Sequence, residues 1–452
     1  MALSLSAILG SEAKAPPKTA AKAPYDEGLE GLRGLAALTV VFHHLFCDSR
    51  LDGTYALPGW MLYLHFAHAG VLLFFVLSGY VIGLTTRGEA TPQAIKTYLH
   101  RRAVRIVPIY LLALLLSVAV LGEFAWGQIL YHLAFLQRYG SYLGLVTAYP
   151  ISSNPALWSL HYEAFFYVGF IAVWLWRPRW GVLMGGALLL ALTALIVNAR
   201  LSLLWSLGCG SFFWLGGLWL AWHAPYQQPD RTPISMVSML LLLMASMHLA
   251  TGSLGLSHLD LSHPSNAMVR LEDLAFFPLA MLMVGEVTGR QLPWRRLFVV
   301  MAYGIPVLAF IALMLMGRSL FSNTRFSMSV MFYGLSLAAI FVRWPIHRLP
   351  FLVFIGSISY GLYVVHMPLI VLAGKLIEFN GTWWMHVGVA GVVILASVGL
   401  ATILEKVLQP RLREWLVLEG KQAEVAPAAK RSPVPAFGFL TKRVKREKTL
   451  HR

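Results

Sequence analysis

The stretch EGLRGLAALTVVFHHLF, Glu30 to Phe46, decides how the rest of the chain is interpreted. It has the length and apolar content of a membrane helix, yet it carries Arg33 near its start and a pair of histidines near its end. At about 100° per residue, Arg33 and His44 differ by only about 20° and share one helix face, whereas His43 lies about 80° away. The rise from Arg33 to His44 is about 16 Å, roughly half of the hydrocarbon thickness.

Two interpretations of these ionisable residues remain open at this point. Ionisable groups within a bilayer are costly, which makes them functional candidates. Alternatively, Arg33 extends its charged end to the membrane surface and the histidines lie at the opposite interface. His43 and Asp48 also form an H-x4-D pattern that resembles one in soluble and monotopic acyltransferases acting on glycerol phosphates, but so short a pattern is common by chance and we discount it.

The composition indicates a membrane protein. Of 452 residues, 58% are hydrophobic and only 12% are charged; a soluble protein carries about twice that charged fraction. Apolar runs of spanning length recur throughout, which predicts an all-α polytopic transmembrane helical bundle with about 10 to 12 spans. The two cysteines provide neither a disulfide framework nor a metal cluster.

Twelve segments match spans in length and hydrophobicity. They are about 31–47, 62–84, 104–121, 157–176, 182–197, 203–222, 234–250, 271–287, 297–316, 327–342, 351–373 and 384–404. Lys and Arg are more than twice as frequent in the connecting segments on one side as on the other. The positive-inside rule therefore predicts that both termini are cytoplasmic.

We predict three regions: a disordered N-terminal segment (1–29), a transmembrane domain (30–416) and a basic disordered tail (417–452). The net charge of +16 owes much to that tail, which ends TKRVKREKTLHR. Anionic lipids of the inner leaflet account for such a tail. Because it lacks interleaved aromatic residues and any recognisable module, we expect no nucleic-acid partner.

The densest basic cluster is KTYLHRRAVRIVPIY, Lys96 to Tyr110, with Arg101, Arg102 and Arg105 at the start of a span. These arginines are either topology anchors at the membrane surface or a cytoplasmic phosphate clamp. A clamp is chemically reasonable because one guanidinium group can donate two parallel hydrogen bonds to a phosphate.

A second motif, NPALWSLHYEAFFY, places Glu163 within the next span. We expect Glu163 to pair with His44 and orient its imidazole, or else to bind another helix.

Two further motifs contain polar residues in apolar surroundings. In FFVLSGYVIGL, Ser78 and Gly79 indicate a kink or close packing rather than a serine nucleophile. In FIGSISYGLYVVHMPLIV, Tyr363 and His366 share a helix face and either line a cavity or pack in the core. The loop with His258, Asp260 and His263 is better explained as solvated than as a metal site, and we predict no metal.

These motifs together resemble the acyltransferase 3 family of membrane acyltransferases. The matching segments are GLRGLAALTVVFHH, FFVLSGY, RRAVRIVPIY, LWSLHYE and GSISYGLYVVH, in the family's order across roughly residues 28 to 410. The resemblance implies transfer of an acyl group, commonly acetyl, from cytoplasmic acyl-CoA to a hydroxyl of an extracytoplasmic or lipid-linked glycan. It also implies a multi-pass protein of the cell inner membrane, with partner proteins of a polysaccharide-synthesis system as candidates.

The resemblance assigns roles to three groups of residues. The predicted catalytic residues are His44 as general base, Glu163 and Arg33, with an acyl-histidine intermediate as the rival chemistry. The predicted donor-binding residues are Arg101, Arg102 and Arg105. The predicted substrate-binding residues are Trp158, Ser159, Tyr360 and His366.

Two other functional classes compete with this prediction. A transporter or flippase for a lipid-linked sugar would share the span count and the buried charges. A non-catalytic component of a glycan-synthesis complex would tolerate replacement of Arg33, His44 and Glu163.

Overall fold

The structure is a computed structural model that describes residues 26–46, 67–86, 88–122, 125–137, 151–195, 202–226, 234–249, 268–319, 324–379 and 381–415. The chain divides into two compact units, Met1–Pro410 and Arg411–Arg452, and the site described below belongs to the first. Except for residues 26–29, the predicted segments 1–29 and 417–452 lie outside the described residues. So do Asp48 and the loop with His258, Asp260 and His263.

Fourteen α-helices make up most of the described chain, which contains no strand. They are α1 (Glu27–Phe46), α2 (Ala67–Thr85), α3 (Pro92–Leu121), α4 (Trp126–Leu133), α5 (Leu160–Trp176), α6 (Trp180–Leu192), α7 (Ser202–His223), α8 (Met236–Leu249), α9 (Phe277–Val287), α10 (Arg295–Leu315), α11 (Thr324–Ala338), α12 (Pro350–Ser357), α13 (Ser359–Leu376) and α14 (Trp383–Thr402). A π-helical turn, Ile403–Leu408, continues α14. The all-α prediction is confirmed.

Among the described residues, eight helices are long and apolar enough to cross a membrane, and two shorter apolar ones, Trp180–Leu195 and Met236–Leu249, accompany them. The sequence predicted about 10 to 12 spans. Helix α1 is not among the eight because its charged residues and histidines lower its mean hydropathy. The chain is nevertheless a polytopic membrane protein by the length and composition of these helices.

Helix α1 lies against α12 with almost no space between their backbones. A Cβ atom added to Gly356 would lie 1.8 Å from the carbonyl oxygen of Glu30, and one added to Gly34 would lie 2.0 Å from that of Leu352. Small residues permit such close approach of membrane helices. The predicted single span 351–373 is wrong in detail, because the chain leaves helical geometry at Ile358 (φ −121°, ψ 13°) between α12 and α13.

Helices α2 and α7 form a second close pair. A Cβ atom on Gly79 would lie 2.0 Å from the carbonyl oxygen of Trp214, and one on Gly217 would lie 1.9 Å from that of Val76. Close packing, one of the two structural interpretations of the Ser78–Gly79 motif, is therefore correct for Gly79. With α1, α3, α5 and α13, helix α2 surrounds the central cavity of the protein.

Candidate active site

The central cavity contains most of the polar residues that the sequence motifs contribute. Its empty space amounts to about 850 Å³, including open solvent at its mouth. Its polar lining residues are Arg33, Ser78, Arg102, Arg105, Ser159, Glu163, Tyr167, Ser359, Tyr360 and Tyr363. Its apolar lining comes mainly from α2, with Phe74, Phe75 and Leu77 among the residues.

Arg102 is held in place by contacts from three helices. Its Nη2 donates to Oγ1 of Thr85 at 2.9 Å. Its guanidinium lies 5.6 Å from the ring centre of Tyr98 and 5.5 Å from that of Tyr167. Cation–π contacts at this distance stabilise the charge and fix the plane of the guanidinium group. Arg102 is therefore presented to the cavity in a defined orientation.

Two other arginines line the same cavity from different helices. Arg33 on α1 forms an ion pair with Glu30, one turn earlier, with 3.1 Å between Nη1 and Oε1. Arg105 on α3 is partly buried, and its backbone oxygen accepts a hydrogen bond of 2.8 Å from Gln409. Three guanidinium groups, from Arg33, Arg102 and Arg105, thus border one space.

Arg101 does not belong to this group. Its side chain is exposed and is absent from the cavity lining. Helix α3 begins at Pro92, well before the predicted start at residue 104, so all three arginines of the motif are helical. Arg101 lies one turn nearer the start of that helix than Arg105. The sequence motif grouped Arg101 with Arg102 and Arg105 and did not distinguish it from them.

Glu163 also lines the cavity and accepts a short hydrogen bond from the hydroxyl of Tyr167, one turn later on α5. The ring of that tyrosine contacts Arg102. The expected pairing of Glu163 with His44 is therefore wrong. The 3-10 segment Pro155–Ser159 precedes α5 and places Glu163 among the arginines instead of beside the histidines.

His44 is paired with another histidine. Its Nδ1 lies 3.0 Å from Nε2 of His366 on α13, and the two ring centres are 5.1 Å apart. His366 is fully buried, and its Nδ1 lies 3.1 Å from the carbonyl oxygen of Leu362. The ring of His43 lies edge-on to His44, with the ring centres 5.3 Å apart. His44 therefore points toward α13 within the helix bundle.

Tyr363 lies between the cavity and the histidine pair. Its hydroxyl donates to the carbonyl oxygen of Ala156 at 2.7 Å and lies 2.8 Å from Oγ of Ser159. The ring of Tyr363 lines the cavity, and its centre is 6.0 Å from that of His366. Neither His366 nor His44 lines the cavity.

The backbone around this tyrosine is anchored by Asn154. Pro368 has no N–H, so the carbonyl oxygen of Val364, four residues earlier on α13, lacks its usual helical donor. Nδ2 of Asn154 donates to this oxygen at 2.9 Å and to Oγ of Ser117 at 3.0 Å. The segment that carries Ser159 and Glu163 is thereby attached to α3 and α13.

The other predicted substrate-binding residues separate into two groups. Ser159 and Tyr360 line the cavity, and the hydroxyl of Tyr360 donates to the carbonyl oxygen of Ile106 at 3.0 Å. Trp158 is buried elsewhere and stacks on His68, with 6.3 Å between the ring centres. His366 contacts His44 instead of the cavity.

One residue of the cavity lining and two polar contacts were not predicted from the sequence. Ser359 is buried, lines the cavity and has an Oγ without a hydrogen-bond partner among the described residues. Tyr167 follows Glu163 by four residues, a spacing that could have indicated their contact. Outside the cavity, Nε2 of His68 lies 2.9 Å from Oδ2 of Asp273. No sequence pattern indicated this contact. The described residues contain no metal-binding group of three or more ligands.

Comparison with known proteins identifies the family. The model of the acyltransferase 3 family, described as an acyltransferase domain, matches residues 26–406. No curated protein and no solved structure matches the chain. The match covers helices α1 to α14 and every residue of the cavity. This multi-pass membrane protein therefore belongs to the acyltransferase 3 family and is an acyltransferase.

Proposed function

We propose that the protein transfers an acyl group, most simply acetyl, from cytoplasmic acyl-CoA to a hydroxyl of an extracytoplasmic or lipid-linked glycan. The observation that carries this proposal is the cavity with three arginines along its wall, next to a partly buried histidine pair. The enzyme is then an O-acyltransferase of the cytoplasmic membrane with both termini inside. Partner proteins of a polysaccharide-synthesis system would supply the acceptor.

The chemistry of the cavity suits acyl-CoA. Arg102 and Arg105 provide guanidinium groups, each of which can bind a phosphate through two parallel hydrogen bonds, and Arg33 adds a third positive charge. The apolar side chains of Phe74, Phe75 and Leu77 suit a thin, largely uncharged pantetheine arm. In this assignment Arg101 does not bind the donor, because its exposed side chain lies outside the cavity.

The dimensions of α1 agree with delivery of a thioester to His44. Arg33 and His44 are on one continuous helix, so their separation along its axis is about 16 Å. An extended pantetheine arm measures about 15–20 Å if its length per backbone bond resembles that of an extended polypeptide. Tyr363 lies between the cavity and the histidines, and the acyl group must pass it.

The proposed reaction uses His44 as a general base. The imidazole takes the proton from the acceptor O–H as that oxygen attacks the thioester carbonyl carbon. The C–S bond then breaks, the sulfur leaves as thiolate, and the imidazolium returns the proton to it. The products are a glycan ester and CoA thiol. In the rival route His44 itself attacks the carbonyl, and an acyl-histidine then transfers the acyl group to the hydroxyl.

Thiol release by the purified protein tests this proposal. Wild type with acetyl-CoA and an envelope-glycan extract should release CoA thiol and acylate the glycan. We expect His44→Ala to lower the rate by about 10²–10⁴-fold, the usual contribution of a general base. His100→Ala, which removes an exposed histidine of α3, is the matched control and should retain the rate.

Two outcomes would contradict the proposal in different ways. Full acyl transfer by His44→Ala would exclude His44 as the base. Absence of acyl-CoA chemistry in wild type, together with movement of a lipid-linked sugar across vesicles, would favour the transporter. Mass spectrometry of envelope glycans from a deletion strain would identify the acceptor and the acyl group.

A further inference from the structure

The strongest relationship that the proposed reaction does not yet explain is a chain of three polar groups ending at His44. The carbonyl oxygen of Leu362 lies 3.1 Å from Nδ1 of His366, and Nε2 of His366 lies 3.0 Å from Nδ1 of His44. Both distances are those of good hydrogen bonds. Both ring nitrogens of His366 and Nδ1 of His44 thus have a definite neighbour.

The directions of these hydrogen bonds follow from elementary chemistry. A carbonyl oxygen only accepts, so Nδ1 of His366 must carry the proton. His366 is fully buried, and we take its imidazole as neutral, with a single N–H. Its Nε2 is then an acceptor, and Nδ1 of His44 must be the donor. A neutral His44 with its proton on Nδ1 has its basic lone pair on Nε2.

We propose that His366 is a positioning residue that holds His44 in the Nδ1–H tautomer and presents the Nε2 lone pair as the proton acceptor. The proposal rests on the function proposed above and transfers to His366 the orienting role that the sequence had suggested for Glu163. In comparable catalytic sites the orienting partner of a histidine base is a carboxylate. Here it is a second imidazole, oriented by a backbone carbonyl.

The arrangement also accommodates the charged state of the base. When Nε2 of His44 takes the proton of the acceptor, one O–H bond breaks and one N–H bond forms. Nδ1–H continues to donate to His366, and this hydrogen bond strengthens because its donor is now cationic. His366 keeps its own proton on Nδ1 throughout, so it transfers none.

The helix geometry explains why His366 can serve this purpose. Leu362 and His366 are four residues apart on α13, so the carbonyl that orients the imidazole comes from the same rigid helix. The ring of His366 is 0% exposed, which limits alternative rotamers. Because α13 also carries Tyr363 at the cavity, one helix contributes to both the donor site and the base.

The test compares two replacements of His366. In His366→Gln, the amide oxygen can still accept from Nδ1–H of His44; in His366→Leu, no acceptor remains. We expect His366→Leu to lower kcat at least 10-fold with little change in KM for acetyl-CoA, and His366→Gln to recover most of the loss. In a His44→Ala background, adding His366→Leu should have little further effect, because residues that act as a unit are not additive.

A spectroscopic measurement makes the test independent of turnover. Nitrogen NMR of protein labelled with 15N-histidine distinguishes the two neutral tautomers, and the signals lost in His44→Ala identify those of His44. We expect the Nδ1–H form in wild type and in His366→Gln, and a shift toward Nε2–H in His366→Leu. His100→Leu, at an exposed position, should leave the His44 signals unchanged.

Three results would overturn the inference. They are an Nε2–H tautomer of His44 in wild type, equal activity of the Gln and Leu variants, and a fold loss from His366→Leu in the His44→Ala background as large as the fold loss in wild type. A wild type that lacks acyl transfer but shows the Nδ1–H tautomer would contradict the proposed function alone.

Discussion

The hydroxyl of Tyr363 lies 2.8 Å from Oγ of Ser159, and this contact connects the end of α13 that borders the cavity to the segment preceding Glu163. The same hydroxyl donates to the carbonyl oxygen of Ala156. Two segments more than 200 residues apart in sequence thus meet at the position that separates the arginines from the histidines. Because Ser159 and Tyr363 both line the cavity, this contact joins two parts of the cavity wall.

Tyr363→Phe should therefore destabilise the protein. The change leaves the buried Ala156 oxygen and Ser159 hydroxyl without this partner, and each loss of a buried hydrogen bond costs about 1–3 kcal/mol. Thermal unfolding in detergent measures the effect. Tyr226→Phe, at an exposed tyrosine, is the control and should unfold like wild type. Equal melting temperatures for both variants would contradict the structural role of the hydroxyl.

Arg102→Ala and Arg105→Ala should each raise KM for acetyl-CoA about 10-fold or more, because a hydrogen bond to a charged group contributes about 1.5–3 kcal/mol. Arg101→Ala removes the same charge from the same helix at an exposed position, and its KM should stay within about twofold of wild type. Steady-state kinetics at fixed ionic strength provide the comparison. An equal rise in KM for all three variants would indicate general surface charge instead of a phosphate clamp.

Gly356→Ala should reduce the yield of folded protein severely. The added Cβ would lie 1.8 Å from the carbonyl oxygen of Glu30, and the backbones of α12 and α1 would have to separate. Gly388→Ala on α14 makes the same change where no atom lies within 4 Å of the new Cβ. Because alanine favours helices over glycine by about 1 kcal/mol, this control should fold normally or better. Size-exclusion profiles of the two purified variants decide the question.

Ser359→Ala should lower kcat/KM without lowering the stability of the protein. Its buried Oγ lines the cavity and has no hydrogen-bond partner among the described residues, so its removal should not lower stability. If this hydroxyl binds the substrate, kcat/KM should fall several-fold. Ser397→Ala removes a similar buried hydroxyl of the described chain, which also lacks a partner but lies outside the cavity. Identical kinetics for the two variants would exclude Ser359 from the substrate site.

The protein should become less stable in mild acid, in part because His347 is protonated more readily in the unfolded chain. This residue lies in the connection between α11 and α12, where burial, and then the charge of Arg348, lower its pKa to about 4. The unfolded chain has a pKa near 6.5 and binds more protons, so stability rises with pH between these values. The contribution is complete above pH of about 6.5 and is lost as the pH falls toward 4.

His347→Gln removes this titration and should flatten the pH dependence of the melting temperature between about pH 4 and 6.5. Wild type and variant should differ least above that range. A pH dependence unchanged by the substitution would assign the acid sensitivity to other groups.

Local sequence patterns were sufficient for the features that depend on neighbouring residues. Apolar length determines membrane helices, because every backbone polar group in lipid must be satisfied within its own segment. The spacing of Arg33 and His44 on one helix follows from the helical repeat, and α1 contains both. The same local motifs, in order, carry the resemblance to the acyltransferase 3 family, whose model matches residues 26–406.

The partners of the polar residues were decided by tertiary structure. His44 contacts a histidine 322 residues later, and Glu163 contacts Tyr167 instead of His44. Two charged residues on separate helices can be assigned equal depth from hydropathy, yet hydropathy contains no information about the rotation of one helix against another. That rotation depends on close contacts such as Gly356 against Glu30 and Gly79 against Trp214. Packing of the whole bundle therefore determined which arginines border the cavity and which imidazole orients the base.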